Sequence, residues 1–277
     1  MILLPILLSA FSLGALGVTT EATVTANIQP GVGCIYGSEV GSEPGFDATV
    51  YSYPDSDTII WSTYSPDGFN TAFLESSYDM FGLIASTSGV TSPQFTLTSE
   101  TELYGMSVVT TNFTLELSGY FLAQQTGLYT FELTDIDDAA LVWFGNGLSC
   151  CDPTALPDAD PVFGASWVSN ENVNGAGIAY IYMEEGNYYP VRITYCNWDH
   201  LAALEFQITT PDQVVITDFS DSIFQFVNID GQCSSSTASF PFSTITTTSG
   251  SVSTTFAVQT ATTDTSGNTV TTTEVVV

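Results

Sequence analysis

The amino-acid sequence predicts an all-β protein, a sandwich or barrel of short antiparallel strands. Between Gly31 and Cys233 apolar and polar residues alternate in short runs, the period-two pattern of strands with one buried face. Gly, Pro, Asn and Asp separate these runs, and these are the residues that make turns. No stretch repeats its apolar residues at helical spacing. With 44% hydrophobic and 13% aromatic residues, the chain has enough apolar surface for a proper core.

Taken in chain order, residues 1–17 form an apolar run that ends in small residues at Ala15 and Gly17, ahead of the polar Val18–Ala22 segment. This reads as a signal peptide cleaved before Val18, although a basic n-region is missing. Residues 18–30 are an N-terminal segment, and 31–233 a single β domain. Within it, strands over Gly127–Leu133 and Ala140–Phe144 flank an acidic turn. Ala179–Met183 and Tyr188–Tyr195, joined by the turn Glu184–Asn187, read as a hairpin. Ala203–Thr209 and Val214–Phe219, joined by Thr210–Gln213, read as a second. After Cys233 the composition changes, and 24 of the 44 residues of 234–277 are Ser or Thr. That tract reads as the start of an O-glycosylated, extended stalk in a longer surface protein. No second long apolar span follows the first, so no membrane span is expected in the chain. Asn112, in Asn112-Phe113-Thr114, is the one N-glycosylation sequence.

Charge narrows the function classes. The chain has 30 acidic residues against one base, Arg192, and one histidine, His200, for a net charge of −29. That balance excludes a nucleic-acid binder, which needs a basic footprint, and it disfavours anionic lipid. Cations and neutral ligands such as sugars are the compatible partners.

Asp137 and Asp138 stand side by side between two strands. Neighbouring side chains on a continuous strand point to opposite faces, so both carboxylates can hold one ion only if the backbone is reshaped there, for instance by a cis peptide. Ca²⁺, a hard cation that takes about six to eight oxygen ligands, fits such a pair. A solvated acidic turn is the plain alternative for the pair taken alone. Asp135 is expected to face solvent.

Five cysteines, Cys34, Cys150, Cys151, Cys196 and Cys233, fit an oxidising compartment. The adjacent Cys150 and Cys151 cannot easily bridge to each other, so they read as two divergent staples, one to each end of the domain. Cys196 is left over, either as a buried thiol or as an intermolecular partner.

Several segments together carry a family resemblance: Gly119–Leu122, Gly127–Phe131, Asp137–Asp138, Cys150–Cys151, Gly186–Val191 and Tyr195–Asn197. In this order they resemble the PA14/GLEYA adhesion domains of yeast flocculins and epithelial adhesins. The resemblance covers about residues 31–233 and implies a PA14-like antiparallel β-sandwich, lectin-like, with disulfide-tied termini. It implies pairing of Cys34 with Cys150 and of Cys151 with Cys233. It further implies a Ca²⁺ site made of Asp137 and Asp138, joined by a cis peptide, the Asn197 side chain, and main-chain carbonyls at Asp199 and Leu201. Terminal galactose, mannose or N-acetylglucosamine would bind there, with Asp137, Asp138, Asn197, Trp198, Asp199, His200 and Trp167 as contacts. Cys196 has no counterpart, and 153–174 match poorly.

The function expected is that of a non-enzymatic, calcium-dependent fungal cell-wall adhesin that binds terminal sugars on cells or surfaces. Two alternatives stand beside it, a structural wall glycoprotein without a specific ligand and a carbohydrate module linked to a glycosidase. Hydrolysis needs two carboxylates facing each other across a bond, about 5–9.5 Å apart, and adjacent aspartates suit a shared metal better.

Overall fold

The computed structural model describes residues 28–37, 41–53, 64–65, 68–69, 72–98, 101–109, 112–152, 155–167, 173–198, 201–227, 233–239, 256–263 and 269–276. The expected signal peptide lies outside the described residues. The chain divides into two compact units, Ala26–Pro241 and a second composed of Met1–Thr25 with Phe242–Val277. In the second unit the described residues form an antiparallel pair, Phe256–Thr263 with Thr269–Val276.

The first unit is a β-sandwich. One sheet has six strands in the order Ile28–Pro30, Gly175–Met183, Gly127–Asp137, Ala202–Thr209 and Val215–Ile216, with Phe95–Leu97 also paired to Ala202–Thr209. The other has ten, centred on Ala139–Phe144, Tyr188–Asn197 and Phe113–Leu122. Between them lies a core that includes Phe131, Phe144, Tyr195 and Phe206, all essentially buried. Burying each such ring stabilises the fold by about 1.5–3 kcal/mol.

Local alternation explains which face each strand buries. Tyr129, Phe131 and Leu133 point into the core from one strand while Thr130 and Glu132 are only half-buried. Ala139–Phe144 and most of Tyr188–Asn197 are instead buried on both faces. The reason is a second apolar layer on the outer side of the ten-stranded sheet, containing Tyr53, Phe73, Leu74, Tyr78, Leu141 and Trp143. It is built on a five-residue helix, Ala72–Ser76, too short to show a helical period in the sequence. Two sheet hydroxyls pin it: Thr194 donates to the Leu74 carbonyl at 3.1 Å and Thr114 to the Tyr78 carbonyl at 2.6 Å. Under this layer sits the one arginine, 3.6 Å from Glu116, whose carboxylate also accepts from the Tyr78 phenol.

Both ends of the domain are tied to the adjacent cysteines, Cys34 to Cys150 and Cys151 to Cys233. Cys196 is a buried thiol. Around Cys34 and Cys150 a small aromatic cluster forms, in which Tyr36 stacks on Phe226 at 3.9 Å between ring centres.

One expected hairpin is absent. Gly175–Met183 pairs with Gly127–Asp137 in the six-stranded sheet, whereas Tyr188–Asn197 pairs with Phe113–Leu122 and Ala139–Phe144 in the ten-stranded one. The turn Glu184–Asn187 therefore carries the chain across the sandwich. Alternation tells which face a strand buries and not which strand lies beside it. The second expected hairpin does form, but as a short ladder of Ile208 with Ile216 and Thr209 with Val215.

Candidate functional site

Two more sheet-switching connections lie side by side at one end of the sandwich. The chain leaves the six-stranded sheet at Asp137 and enters the ten-stranded sheet at Ala139. In the opposite sense it leaves the ten-stranded sheet at Asn197 and re-enters the six-stranded sheet at Ala202. The two crossings are neighbours because Ala139 pairs with Cys196 on one side and Asp137 with Ala203 on the other.

An irregularity in the Gly127–Asp137 strand aims the aspartates. Buried positions run Tyr129, Phe131, Leu133 and then Ile136, so the alternation slips by one. Pairing on both sides of the strand slips at the same place, between Leu133 and Ile136 and between Thr134 and Asp137. Asp135 has φ +54° there, a left-handed conformation that Asp tolerates better than most residues. An unbroken strand would have driven Asp137 into the core with the odd-numbered residues; the bulge gives that place to Ile136 and turns Asp137 outward. Asp135 is half-buried and accepts a bond from Asn174 Nδ2 at 2.5 Å, so it is more enclosed than the sequence led one to expect.

The peptide bond between Asp137 and Asp138 is cis. Asp138 is almost buried, 6% exposed, and it ties the two crossings together. Its N–H donates to the Cys196 carbonyl at 3.2 Å and its carbonyl accepts from the Trp167 N–H at 2.6 Å. Its Oδ2 accepts from the Trp198 N–H at 2.7 Å. Asp138 thus bonds the residues on both sides of Asn197, which is itself fully buried. Tyr195 adds a bond from its hydroxyl to the Asp137 carbonyl. Burial, and next the Asp138 carboxylate, hold that phenol well above its ordinary pKa, so it stays a donor.

Of the residues expected at the site, the structure brings together Asp137, Asp138, Asn197, Trp198 and the Trp167 main chain. Asp199 and His200 lie outside the described residues, and Leu201, just before the Ala202–Thr209 strand, is exposed. Tyr195 was missed by the sequence reading, since nothing local in Tyr195-Cys196-Asn197 shows which ring faces Asp137.

The donor set suits a hard cation. Carboxylates and an amide oxygen, as on Asp137, Asp138 and Asn197, are ligand types that Ca²⁺ takes; among the described residues no group of three His, Cys, Asp or Glu side chains is placed to hold a metal. Cys196 does not join them. Alternation puts Tyr195 in the central core and Cys196 in the outer apolar layer, where burial first and the Asp138 carboxylate second push the thiol well above its usual pKa. A thiol that does not ionise is a poor metal ligand and an inert nucleophile.

Comparison with known proteins fits this picture. Residues 113–210, which hold both crossings, match the GLEYA domain. Flocculation protein FLO9 of Saccharomyces cerevisiae is 33% identical over 137 residues, 46% of this chain and 10% of that protein. Topoisomerase I damage affected protein 8 of the same yeast is 30% identical over 117 residues, which is 40% of this chain and 91% of the relative. The chain belongs to the GLEYA-domain family. This GLEYA domain spans about a tenth of the length of the flocculation protein it matches. Its fold is also that of the Epithelial Adhesin 6 A domain of Candida glabrata, with a TM-score of 0.62 at 24% identity, over 73% of this chain and 96% of the adhesin domain. The GLEYA domain here accordingly shares the β-sandwich fold of that adhesin domain.

Proposed function

We propose that this chain is a calcium-dependent fungal cell-surface lectin that binds terminal sugars of glycans and so mediates adhesion between cells or to a surface. One observation carries the reading: Asp138 bonds the main chain on both sides of the buried Asn197, which gathers two carboxylates and an amide oxygen at the junction of two crossings. Asp137, Asp138 and Asn197 would hold the ion, with the main-chain carbonyls of Asp199 and Leu201. Bound there, Ca²⁺ supplies coordination positions for two vicinal sugar hydroxyls. The carboxylate oxygens accept hydrogen bonds from the same hydroxyls, while Trp198, Asp199, His200 and Trp167 flank the sugar and select among sugars. The Epithelial Adhesin 6 A domain was solved in complex with Galb1-3GlcNAc, which makes terminal galactosides the first class to test, ahead of mannosides and N-acetylglucosamine. Single contacts of this kind are weak, and adhesion rests on many copies presented by the Ser/Thr-rich segment at the cell wall.

The test is a glycan array probed with the full chain in CaCl₂ and in EDTA. A set of terminal sugars bound in calcium and released by EDTA is expected. Binding that persists in EDTA, or no binding in either, would overturn the proposal.

A further inference from the structure

We infer that Asn112 carries an N-linked glycan and that this glycan forms one wall of the ligand site, admitting slender glycan ends and excluding branched ones. The inference rests on the lectin reading above and adds a covalent modification as a determinant of selectivity.

Asn112-Phe113-Thr114 is the single Asn-X-Ser/Thr sequence of the chain. Asn112 is half-exposed at the bend before the Phe113–Leu122 strand. Thr114 is fully buried, with its hydroxyl bonded to the Tyr78 carbonyl at 2.6 Å. An enzyme that must reach both the amide and that hydroxyl finds them only before the domain closes, so the modification belongs to the unfolded, newly exported chain. In that step Asn112 Nδ2 bonds to the anomeric carbon of a lipid-diphosphate-linked oligosaccharide. The bond from that carbon to the phosphate oxygen breaks, the amide gives up one proton, and the lipid diphosphate leaves.

Strand register places the glycan. Phe113 pairs with Asn197 and Thr114 with Cys196. The paired ladder ends there: Asn112, at the bend before its strand, and Trp198, just after Asn197, are the next residue on each side, and paired neighbours stand about 4.5–5.5 Å apart at Cα. Phe113 lies in the central core and Cys196 in the outer apolar layer, and Trp198 packs against that outer layer too. A glycan rooted at Asn112 starts one residue beyond the end of the ladder, as does Trp198, whose N–H donates to Asp138 Oδ2 at 2.7 Å, and so stands close to the aspartate pair. Being neutral, it adds nothing to the charge of −29, so its effect is steric.

The experiment uses the full chain secreted from a eukaryotic host in three forms: untreated, trimmed after folding with an endoglycosidase, and Asn112→Gln. Peptide mass mapping reads occupancy. Binding is measured to free Galβ1-3GlcNAc and to the same disaccharide displayed on a branched, multi-antennary carrier, each with calcium and with EDTA. A glycan mass on Asn112 is expected, with affinity for the branched probe roughly five- to tenfold higher in the trimmed and Asn112→Gln forms and affinity for the free disaccharide unchanged. An unmodified Asn112, or the same ratio of the two affinities in all three forms, would refute the wall and leave the lectin reading intact. No EDTA-sensitive binding by any form, with Asn112 occupied, would refute the lectin reading and the wall with it.

Discussion

Replacing Asp138 with Asn separates a calcium site from the general attraction of so acidic a protein for any divalent cation. Asn keeps an oxygen that accepts the Trp198 N–H bond, now 2.7 Å from Oδ2, and removes one of the two carboxylates. Net charge moves only from −29 to −28, one unit of the total, so diffuse screening by calcium survives almost unchanged. A ligand at one hundred times its Kd stabilises the folded state by about 2.7 kcal/mol. Changes in the outer shell of a metal site weaken binding about 10- to 100-fold, and loss of a ligand charge belongs at or beyond the upper end. At the same calcium concentration the increment then falls to about 0.4 kcal/mol. Asp138→Ala goes further, leaving the Trp198 N–H without its acceptor, and should lose about 1–3 kcal/mol even in EDTA. The assay is urea unfolding of wild type, Asp138→Asn and the charge-matched Asp135→Asn, each in EDTA, CaCl₂ and MgCl₂. The calcium increment should be large in wild type and Asp135→Asn, small in Asp138→Asn, and small in magnesium, which keeps its waters. Equal increments in all three proteins would show that calcium acts on overall charge, and the site would be refuted.

Other perturbations probe different layers. Trp198→Ala keeps the N–H that bonds Asp138, so the calcium increment should persist while sugar affinity falls about threefold to tenfold, by the worth of an aromatic contact; unchanged glycan binding would remove Trp198 from the sugar. Replacing Cys34 and Cys150 together by Ala opens a link across 116 positions of chain and should lower stability by about 4–5 kcal/mol in the chain-entropy account, read by urea unfolding. Cys196, fully buried, should resist iodoacetamide in the native protein and react once the chain is unfolded, as counted by mass spectrometry. Glu116→Gln removes the carboxylate that stands 3.6 Å from Arg192 and accepts from the Tyr78 phenol, and should lower stability by about 1–3 kcal/mol, the worth of hydrogen bonds to a charged group, read by urea unfolding; unchanged stability would show that this carboxylate does not hold the outer layer.

Much of the fold is legible locally. Alternation along Gly127–Leu133 names the residues that face the core, and Pro, Gly, Asn and Asp mark where strands stop. The adjacent Cys150 and Cys151 call for two staples in different directions, and the Asp137–Asp138 pair marks an acidic junction. These features are readable because each depends on residues within a few positions of one another. The helix Ala72–Ser76 is not legible, since one turn, held at Leu74 by the Thr194 hydroxyl, has no period of its own.

Strand partnership and the assembled site belong to the tertiary structure alone. Ala179–Met183 and Tyr188–Tyr195 look like partners, yet they lie in different sheets, because an apolar face fits any complementary face across the core. The slip at Asp135 that turns Asp137 outward depends on Gly175 and Ala203 pairing on either side. The bond from Trp198 to Asp138 joins residues sixty positions apart. The sequence alone determines that this chain is a disulfide-tied β protein with an acidic junction. Folding decides that the junction meets Asn197, because only two crossings packed side by side bring oxygen donors from distant segments to one point.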